Sequence, residues 1–330
     1  MKENGVIISS RTAAAAGLII CAIFCSNSAG AAADWPNHTV RLIAPVPAGS
    51  ASDFSARLFA ERLSQRWGQP VIVENRPGAD GTMGVSAFLG TDDDHTLLYA
   101  ISAVTTVHPI THQKLTYDPV RELVPIASAS EVVLAIAASE KNSIRSLGGL
   151  VETARAQPGK LNWSSSPGLP PLVVGGFLKS SELDITFVSY RDLGPVLQDL
   201  GEGRIDVLVH ALSVIMPQVH SGRARLLAVA SEGRVPLAQD VPTVTEAGFP
   251  ELRMDGLVGF FGKHGMPDTL RDRIASDVGA VANDPSLRER LAGAGQTARP
   301  GAAADFAALL EEHRGRLAGL AKTIGFKATQ

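Results

Sequence analysis

The chain has two cysteines and few aromatic residues, and both cysteines lie close to its beginning. Cys21 and Cys25 fall within an early apolar run, so that removal of residues 1–33 leaves 297 residues without a thiol. Such a chain has neither a disulfide framework nor a thiolate metal site. Basic residues do not dominate either, because 30 Lys and Arg stand against 33 Asp and Glu. This balance excludes the basic footprint of nucleic-acid binding and of membrane-surface binding.

The first 33 residues have the layout of a cleavable secretory signal peptide. Lys2 and Arg11 precede an apolar run, and small residues at positions 28–33 come directly before Asp34. The apolar run of about 14 residues is shorter than the roughly 20 that a membrane-spanning helix needs. We therefore expect cleavage before Asp34 and a mature protein in the periplasm.

Short β-branched runs alternate with amphipathic helical patterns through most of the remaining chain. This alternation predicts an α/β protein with mixed sheets and helices on both faces. A chain of 297 residues exceeds the usual size of one compact domain, so we expect two lobes joined by a hinge. Lobe I is predicted to comprise residues 34–133 and 254–330, and lobe II residues 134–253. Strands near 131–137 and 257–261 are predicted to cross between them, and 268–282, 284–293 and 302–324 to be helices with no intervening strand.

The first strand-to-helix junction has the character of an anion site. A Pro/Gly loop leads into a helix, so free backbone N–H groups and the positive end of the helix dipole suit a carboxylate. The candidate contacts are Pro47, Ala48, Gly49, Ser50 and Asp53. An ordinary turn capped by Ser52 or Asp53 explains the same residues, and Asp53 can also pair with Arg57 one turn later.

Several segments resemble the substrate-binding proteins of tripartite tricarboxylate transporters (TctC/Bug type). They follow the family order and span nearly all of the chain after residue 33. They are residues 41–53 (RLIAPVPAGSASD), 68–79 (GQPVIVENRPGA), 115–120 (LTYDPV), 157–163 (QPGKLNW) and 240–248 (DVPTVTEAG).

The resemblance implies a two-lobed periplasmic binding protein fold that holds a small carboxylate between its lobes, largely through backbone amides and waters. It implies neither a cofactor nor a metal. Besides the first loop, the implied ligand-facing residues are Ser102, Thr105, Thr106, Ser164, Ser165, Ser166, Tyr190, Arg191 and Asp192. Arg191 is the charged side chain among them that can hold a carboxylate bidentately.

His210 ends a predicted strand, at the edge where α/β sheets present ligand sites. It fits a donor to an anion as well as a hydrogen-bonded structural histidine. The chain also departs from the family pattern at Ser50, Val104-Thr105, Leu169-Pro170-Pro171-Leu172, His210-Ala211 and Leu257, and these changes make the second half of the pocket less polar. The ligand therefore stays open among di- and tricarboxylates, acidic amino acids and aromatic acids.

These patterns predict a monomeric, non-catalytic solute-binding protein that delivers a small anionic metabolite to the membrane subunits of a tripartite tricarboxylate-type transporter. One alternative is a sensor that presents the bound metabolite to a membrane signalling receptor such as a sensor kinase. A secreted hydrolase is less favoured, because the chain has no Gly-x-Ser-x-Gly elbow. A metal site is not favoured either, because Pro109 interrupts the spacing between His108 and His112.

Overall fold

The computed structural model describes Met1 and residues 35–328. The predicted signal peptide lies outside the described residues apart from its first methionine. The described strands form one sheet of six strands and one of five. In chain order they are β1 (Val40–Ala44), β2 (Val71–Asn75), β3 (Thr96–Ile101), β4 (Leu123–Val132), β5 (Leu134–Ser139), β6 (Asn162–Ser165), β7 (Thr186–Phe187), β8 (Val207–Ala211), β9 (Ala224–Val229), β10 (Gly256–Lys263) and β11 (Gln296–Gly301).

Helices follow most of the strands in the described part of the chain. They are α1 (Ala51–Trp67), α2 (Thr82–Leu89), α3 (Ala103–Thr106), α4 (His108–Thr111), α5 (Leu147–Ala156), α6 (Leu169–Ser180), α7 (Leu193–Glu202), α8 (Leu212–His220), α9 (Asp268–Ala282), α10 (Pro285–Gly293) and α11 (Ala303–Ile324). Short 3-10 turns occupy Ala79–Gly81, Pro236–Ala238 and Pro250–Leu252.

The six-stranded sheet has the strand order β11-β4-β10-β3-β1-β2 and, with its helices, forms lobe I. Successive residues of β3 face opposite sides, as in any strand. Leu98 lies in an apolar cluster with Phe88 of α2, whereas the ring of Tyr99 contacts Phe59 of α1 and Phe260 of β10. Complete burial of a phenylalanine side chain contributes about 1.5–3 kcal/mol to stability, so apolar side chains secure helices on both faces.

The five-stranded sheet has the strand order β7-β6-β8-β5-β9 and, with its helices, forms lobe II. Here β6, β7 and β8 are parallel, and β5 is antiparallel to β8. Val207 and Val209 face a cluster that includes residues of α5 and α6, whereas Leu208 faces Leu200 of α7 and Ile215 of α8. The strand is apolar without alternation because both of its faces are covered.

The chain crosses between the lobes close to one point. β4 ends at Val132 and β5 begins at Leu134, so Val133 alone separates the two strands. On the return path, the amide of Met254 donates to the carbonyl of Ala230 (3.1 Å), and the amide of Ala230 donates to the carbonyl of Leu134 (2.8 Å). These bonds hold the two crossing segments together.

Helix α11 packs against both lobes. Phe306 and Leu310, in its first half, lie in the lobe I cluster. Leu317 and Ala321, in its second half, lie in the lobe II cluster. The sequence assigns all of residues 254–330 to lobe I, and the lobe boundaries stay a prediction. For α11, however, the packing differs from that assignment because its apolar stripe continues past the end of lobe I.

The structure confirms the predicted two-lobed α/β fold with mixed sheets and corrects two details. Residues 296–301 form β11 at the edge of the lobe I sheet, where the sequence predicts only helices. Pro300 and Gly301 obscure this strand, and an edge position tolerates a proline because one side of the strand needs no hydrogen bond. The strand near residues 257–261 does not cross between the lobes, because all of β10 pairs within lobe I. Within residues 35–328, no helix combines the length and apolar character that crossing a membrane requires.

Candidate functional site

The loops that follow the parallel strands of the two lobes emerge on adjoining edges. In lobe I, β1, β2 and β3 are parallel and end at one edge, where β4 also ends. In lobe II, Leu134 at the start of β5 pairs with Ala211 at the end of β8. The single residue Val133 therefore joins the edge of lobe I that carries its loops to the edge of lobe II that carries its loops. Carboxyl ends of strands in open α/β sheets are where ligands bind.

We call the loops after β1, β2 and β3 the lobe I loops and those after β6, β7 and β8 the lobe II loops. Every predicted site residue lies in one of these loops or in the strand end or helix start beside it. The structure thus brings the five predicted regions to the two adjoining edges. Their individual surroundings differ.

The first of the lobe I loops is held by the carboxylate of Asp53. Its Oδ2 atom accepts the amide of Gly49 (2.8 Å) and Nε of Arg57 (3.1 Å), and its Oδ1 atom accepts Nδ2 of Asn75 (2.8 Å). Asn75 also donates to the carbonyl of Val46 (3.2 Å). Gly49 has φ +81°, a left-handed conformation that favours glycine. These contacts hold residues 46–49 in place beside the start of α1.

Asp53 is buried and charged. Burial alone raises its pKa, but hydrogen bonds from Gly49 and Asn75 and the contact with Arg57 outweigh burial, so the pKa of Asp53 lies below its ordinary value. Because the carboxylate is already engaged, its role in this geometry is to orient the loop. The predicted Asp53–Arg57 pair is confirmed. Asn75 was not singled out from the sequence, although it lies in the VENRPG segment that carries the family resemblance.

The start of α1 presents donors to the same edge. Ser50 caps the helix by accepting the amide of Asp53 (3.3 Å). The amides of Ala51 and Ser52, in the first helical turn, lack an intrahelical acceptor, as at any helix start. With the positive end of a 17-residue helix behind them, they suit a carboxylate.

The loop after β3 turns into the short helix α3. The hydroxyls of Thr105 and Thr106 donate to the carbonyl of Ser102 (2.9 and 3.1 Å) and are buried. Arg314 of α11 donates to the carbonyl of Thr105 (3.3 Å). The two threonines therefore shape the turn, and Ser102 is the residue of this region whose hydroxyl has no such internal bond.

At the end of β6, two serine hydroxyls are buried without a partner in the described structure. Ser164 is 1% exposed, and neither its hydroxyl nor that of Ser165 has a hydrogen-bond partner. Leaving a buried hydroxyl unsatisfied costs about 1–3 kcal/mol, and such groups usually find a partner in protein or water. The backbone amide of the next residue, Ser166, does have a partner, because it donates to the carbonyl of Val209 (3.0 Å).

His210 lies at the end of β8, beside this serine segment. Its Nδ1 atom accepts the amide of Ala211 (2.8 Å). Nδ1 is thus the unprotonated nitrogen, so the neutral ring carries its proton on Nε2. Burial lowers the pKa of His210 to about 4. Near neutral pH the side chain is therefore a neutral donor and not a cation.

The three predicted residues of the loop after β7 make different contacts. The hydroxyl of Tyr190 donates to Asp199 of α7 (2.5 Å), which anchors the loop on lobe II. Arg191 is exposed, and no described carboxylate lies within ion-pair distance of it. Asp192 is the N-cap residue of α7, and its side chain makes no capping hydrogen bond.

Charged side chains collect where the lobes join. Arg299 of β11 pairs with Glu232, which follows β9 (2.7 Å), so this ion pair links lobe I to lobe II. Arg253 contacts Asp255 (3.1 Å), which also contacts His313 of α11 (3.3 Å). We call this set the crossover cluster: Glu131, Glu232, Arg253, Asp255, Arg299 and His313. No local pattern indicates this cluster, since its members come from distant segments of the chain.

Glu131 is the member of the crossover cluster whose pKa is shifted most. It is 2% exposed, its Oε1 atom has no partner in the described structure, and Arg299 approaches Oε2 only to 4.0 Å. Burial and the nearby charge of Asp255 raise the pKa of Glu131 to about 7, against the opposing effect of Arg299 and Arg253. This carboxyl group titrates close to neutral pH.

Two cavities lie away from the loops. An apolar cavity of about 30 Å³ lies in the lobe II core between α5 and α6, next to Trp163 and Phe249. A wider surface depression lies beside the opposite end of β1, around His38 and Arg41. Among the described residues, no three histidine, cysteine, aspartate or glutamate side chains come together as a metal site.

The family model described as "Tripartite tricarboxylate transporter family receptor" matches residues 55–326. A UPF0065 protein of Bordetella bronchiseptica is 32% identical over 303 residues, which cover 92% of this chain and 90% of that protein. The protein BugT of Bordetella pertussis is 28% identical over 222 residues, with 66% of this chain and 68% of that protein covered.

Solved structures with the same fold include two from Rhodopseudomonas palustris. Rpa4515 with adipate is 27% identical and superposes with a TM-score of 0.78, covering 90% of this chain and all of the other. MatC with bound malate is 25% identical, with a TM-score of 0.72 over 87% of this chain and 99% of the other. The periplasmic binding protein BugD, 23% identical with a TM-score of 0.73 over 89% of this chain and 100% of the other, shares the fold.

Proposed function

The chain belongs to the tripartite tricarboxylate transporter receptor family, and from that premise we propose that it is a periplasmic protein that captures a small carboxylate between its two lobes. Binding of this kind needs convergent donors and a hinge, and no reacting nucleophile. Two structural relatives, Rpa4515 and MatC, have adipate and malate bound. Their ligands support a carboxylate here, and the identity of the acid is left to experiment.

The observation that carries this proposal is the placement of two sets of polar loops on edges joined by one residue. Val133 separates β4 of the lobe I sheet from β5 of the lobe II sheet. A ligand between the loops contacts both lobes only when they are close together. Its binding free energy therefore favours the closed arrangement over the open one.

On the lobe I side, we propose that the carboxylate accepts hydrogen bonds from the hydroxyl of Ser50 and the amides of Ala51 and Ser52, because Pro47 has no N–H and the amide of Gly49 already donates to Asp53. Asp53 keeps the loop in place, and the amides of Ala51 and Ser52 lie at the helix start. Ser102 adds a hydroxyl from the neighbouring loop. On the lobe II side, Ser164, Ser165, Ser166 and His210 offer further donors. Arg191 is exposed at the rim, outside this set of donors.

Equilibrium calorimetry tests the proposal directly. The full secreted chain, purified without refolding, is titrated with C4–C6 di- and tricarboxylates, acidic amino acids, aromatic acids and matched monocarboxylates. We expect micromolar or tighter binding of at least one of these acids, about −8 kcal/mol or better. Complete silence across the panel, with protein that shows the expected circular dichroism, would refute the proposal.

The partner that fits the family is the set of membrane subunits of a tripartite tricarboxylate transporter. Co-purification from membranes with the ligand-loaded protein tests this step, because the partner has to read the closed arrangement. Recovery of a signalling receptor in place of the transport subunits would favour the sensor alternative and leave carboxylate capture intact.

A further inference from the structure

The start of α6, in the loop after β6, has few backbone donors to offer an anion. Pro167, Pro170 and Pro171 have no N–H group. The first four amides of a helix lack intrahelical acceptors, and α6 has prolines at two of these four positions. Two neighbouring amides are already engaged, because Ser166 donates to Val209 and Ala211 donates to the ring of His210. Gly168 and Leu169 keep the remaining amides of this helix start.

Neutral side chains take the place of those amides. In the parallel pairing of β6 and β8, Ser164 lies opposite Leu208, so it shares a face of the sheet with His210 two residues later. The hydroxyl of Ser164 is buried and has no protein partner in the described structure. The imidazole offers its Nε2 hydrogen, because Nδ1 is occupied by Ala211. Both groups stand next to the edge from which the lobe II loops emerge.

The chemistry of these groups suits a neutral ligand end. A hydroxyl both donates and accepts hydrogen bonds, whereas a carboxylate only accepts them and brings a charge. Burying an ionised carboxylate needs strong compensation from charges or several donors. Arg191 is exposed at the rim, where solvent and salt screen its charge. Lobe I differs, because α1 begins without a proline and presents consecutive amides.

We infer that the end of β6, the start of α6 and His210 recognise a neutral polar end of the ligand, so that the substrate class is a monocarboxylate whose far end is a hydroxyl or carboxamide group. The carboxylate of such a ligand lies on the lobe I loops, and its far end lies near Ser164 and His210. This inference rests on the proposed function and narrows it. A dicarboxylate places a second charge where the loops provide neutral groups.

Calorimetry with acids of matched length tests the inference. One set compares adipate with 6-hydroxyhexanoate and with the monoamide of adipic acid, and a second compares succinate with 4-hydroxybutyrate and with the monoamide of succinic acid. We expect a neutral-ended acid to bind at least about tenfold more tightly than its dicarboxylate in one set, because charge without donors is left uncompensated. Tighter binding of the dicarboxylate in both sets would overturn the inference and leave the proposed function standing. Silence toward the broad carboxylate panel as well as both sets would overturn the two together.

Two variants locate the effect in the lobe II loops. The double substitution Pro170→Ala and Pro171→Ala restores two amides at the start of α6, and should move the affinity ratio toward the dicarboxylate by about tenfold. Ser164→Ala should weaken the neutral-ended acid by about tenfold and leave the dicarboxylate within about twofold. Thermal midpoints equal to that of the parent confirm folding, and Ser164→Ala decides the matter if the double variant does not fold.

Arg191→Ala is the matched control for charge at the rim. We expect the affinity for the neutral-ended acid to change by no more than about twofold, as for an exposed, screened cation. A loss of about tenfold or more from this single change would mean that the rim holds an anionic group, which overturns the inference. An unchanged ratio in both lobe II variants would overturn it as well.

Discussion

The two sets of loops are built in different ways. The first of the lobe I loops is tied by a buried carboxylate to two other segments, and Gly84 of α2 packs so closely that an added Cβ would lie 2.6 Å from atoms of Pro45 and Arg76. Residues 189–195 of the lobe II loops are mostly exposed. Their neighbours Ser164 and Ser165 have buried hydroxyls without partners in the described structure.

This difference indicates that the two sets of loops act at different stages of ligand binding. A loop that is already fixed loses little conformational entropy when it binds a ligand, so its donors bind more tightly. A loop with unsatisfied hydroxyls gains hydrogen bonds only when a ligand or water arrives. We therefore expect lobe I to receive the carboxylate first and lobe II to close over it. The following predictions test the contrast from the largest expected effect to the smallest.

Replacement of Asp53 by alanine should have the largest effect, because it removes the shared acceptor of Gly49, Asn75 and Arg57. We expect the free energy of unfolding to fall by about 3–4 kcal/mol, because Gly49 and Asn75 each lose a hydrogen bond of about 1.5–3 kcal/mol to a buried charged acceptor. Urea denaturation followed by circular dichroism measures the change. Carboxylate affinity should fall in the same variant, since the loop loses its position.

Asp192→Ala is the matched control in lobe II. This aspartate is also next to a helix start, but its side chain makes no capping hydrogen bond. The free energy of unfolding should change by no more than about 0.5 kcal/mol. Equal losses in the two variants would contradict the contrast between the loops.

The second prediction concerns Glu131, near the junction on the lobe I side. Burial raises its pKa from an ordinary value of 4.5 to about 7, so between these pH values the folded protein retains a proton that the unfolded chain releases. Its contribution is therefore complete below pH 4.5 and is lost as pH rises through 7. At about 1.4 kcal/mol for each pKa unit, the difference amounts to about 3 kcal/mol. Glu131→Gln should remove this dependence.

The measurement is the difference in unfolding free energy between the parent and Glu131→Gln across this pH range.

The pH dependence that His210 of lobe II contributes to stability has the opposite sign, because burial lowers its pKa from 6.5 to about 4. Its contribution is complete above pH 6.5 and is lost as pH falls through 4. A constant difference between the parent and the glutamine variant at all pH values would refute the assignment to Glu131.

The smallest expected effect is a difference in stability between two glycine substitutions. Gly84→Ala should destabilise the protein by about 1–3 kcal/mol, because the new methyl group meets backbone atoms that have to shift. Gly194→Ala, in the first turn of α7, has no atom within 4 Å of the new Cβ and should be neutral or stabilising by up to about 0.5 kcal/mol. Thermal unfolding of both variants measures the difference, and a loss at Gly194 as large as at Gly84 would show that the lobe II loops are equally tight.

Local patterns predicted most of the fold. Strand β1 and helix α7 follow the alternation that the sequence predicts, because an apolar strand and a periodic helix are set by neighbouring residues. β11 was missed since Pro300 and Gly301 interrupt any strand pattern. Strand β7 has only two residues, Thr186–Phe187, because it lies at the edge of its sheet with one neighbour to pair with.

The site was predictable only as a set of loops. Strand-to-helix junctions are visible in the sequence, and the family resemblance supplied the remaining regions. Which side chains are free to meet a ligand was not visible. Asp53 and Asn75 are 22 residues apart and hydrogen-bond directly, and no periodicity indicates such a contact. The buried hydroxyl of Ser164 depends on the strands and helices that happen to surround it.

The sequence by itself determined the alternation of strands and helices and the family to which the chain belongs. These features depend on residues within a few positions of one another. The tertiary structure decided that the two sets of loops emerge on adjoining edges, that α11 packs on both lobes, and that Glu131 is buried beside Asp255. These facts depend on contacts between distant segments, and such contacts form only when the whole chain packs around its two sheets.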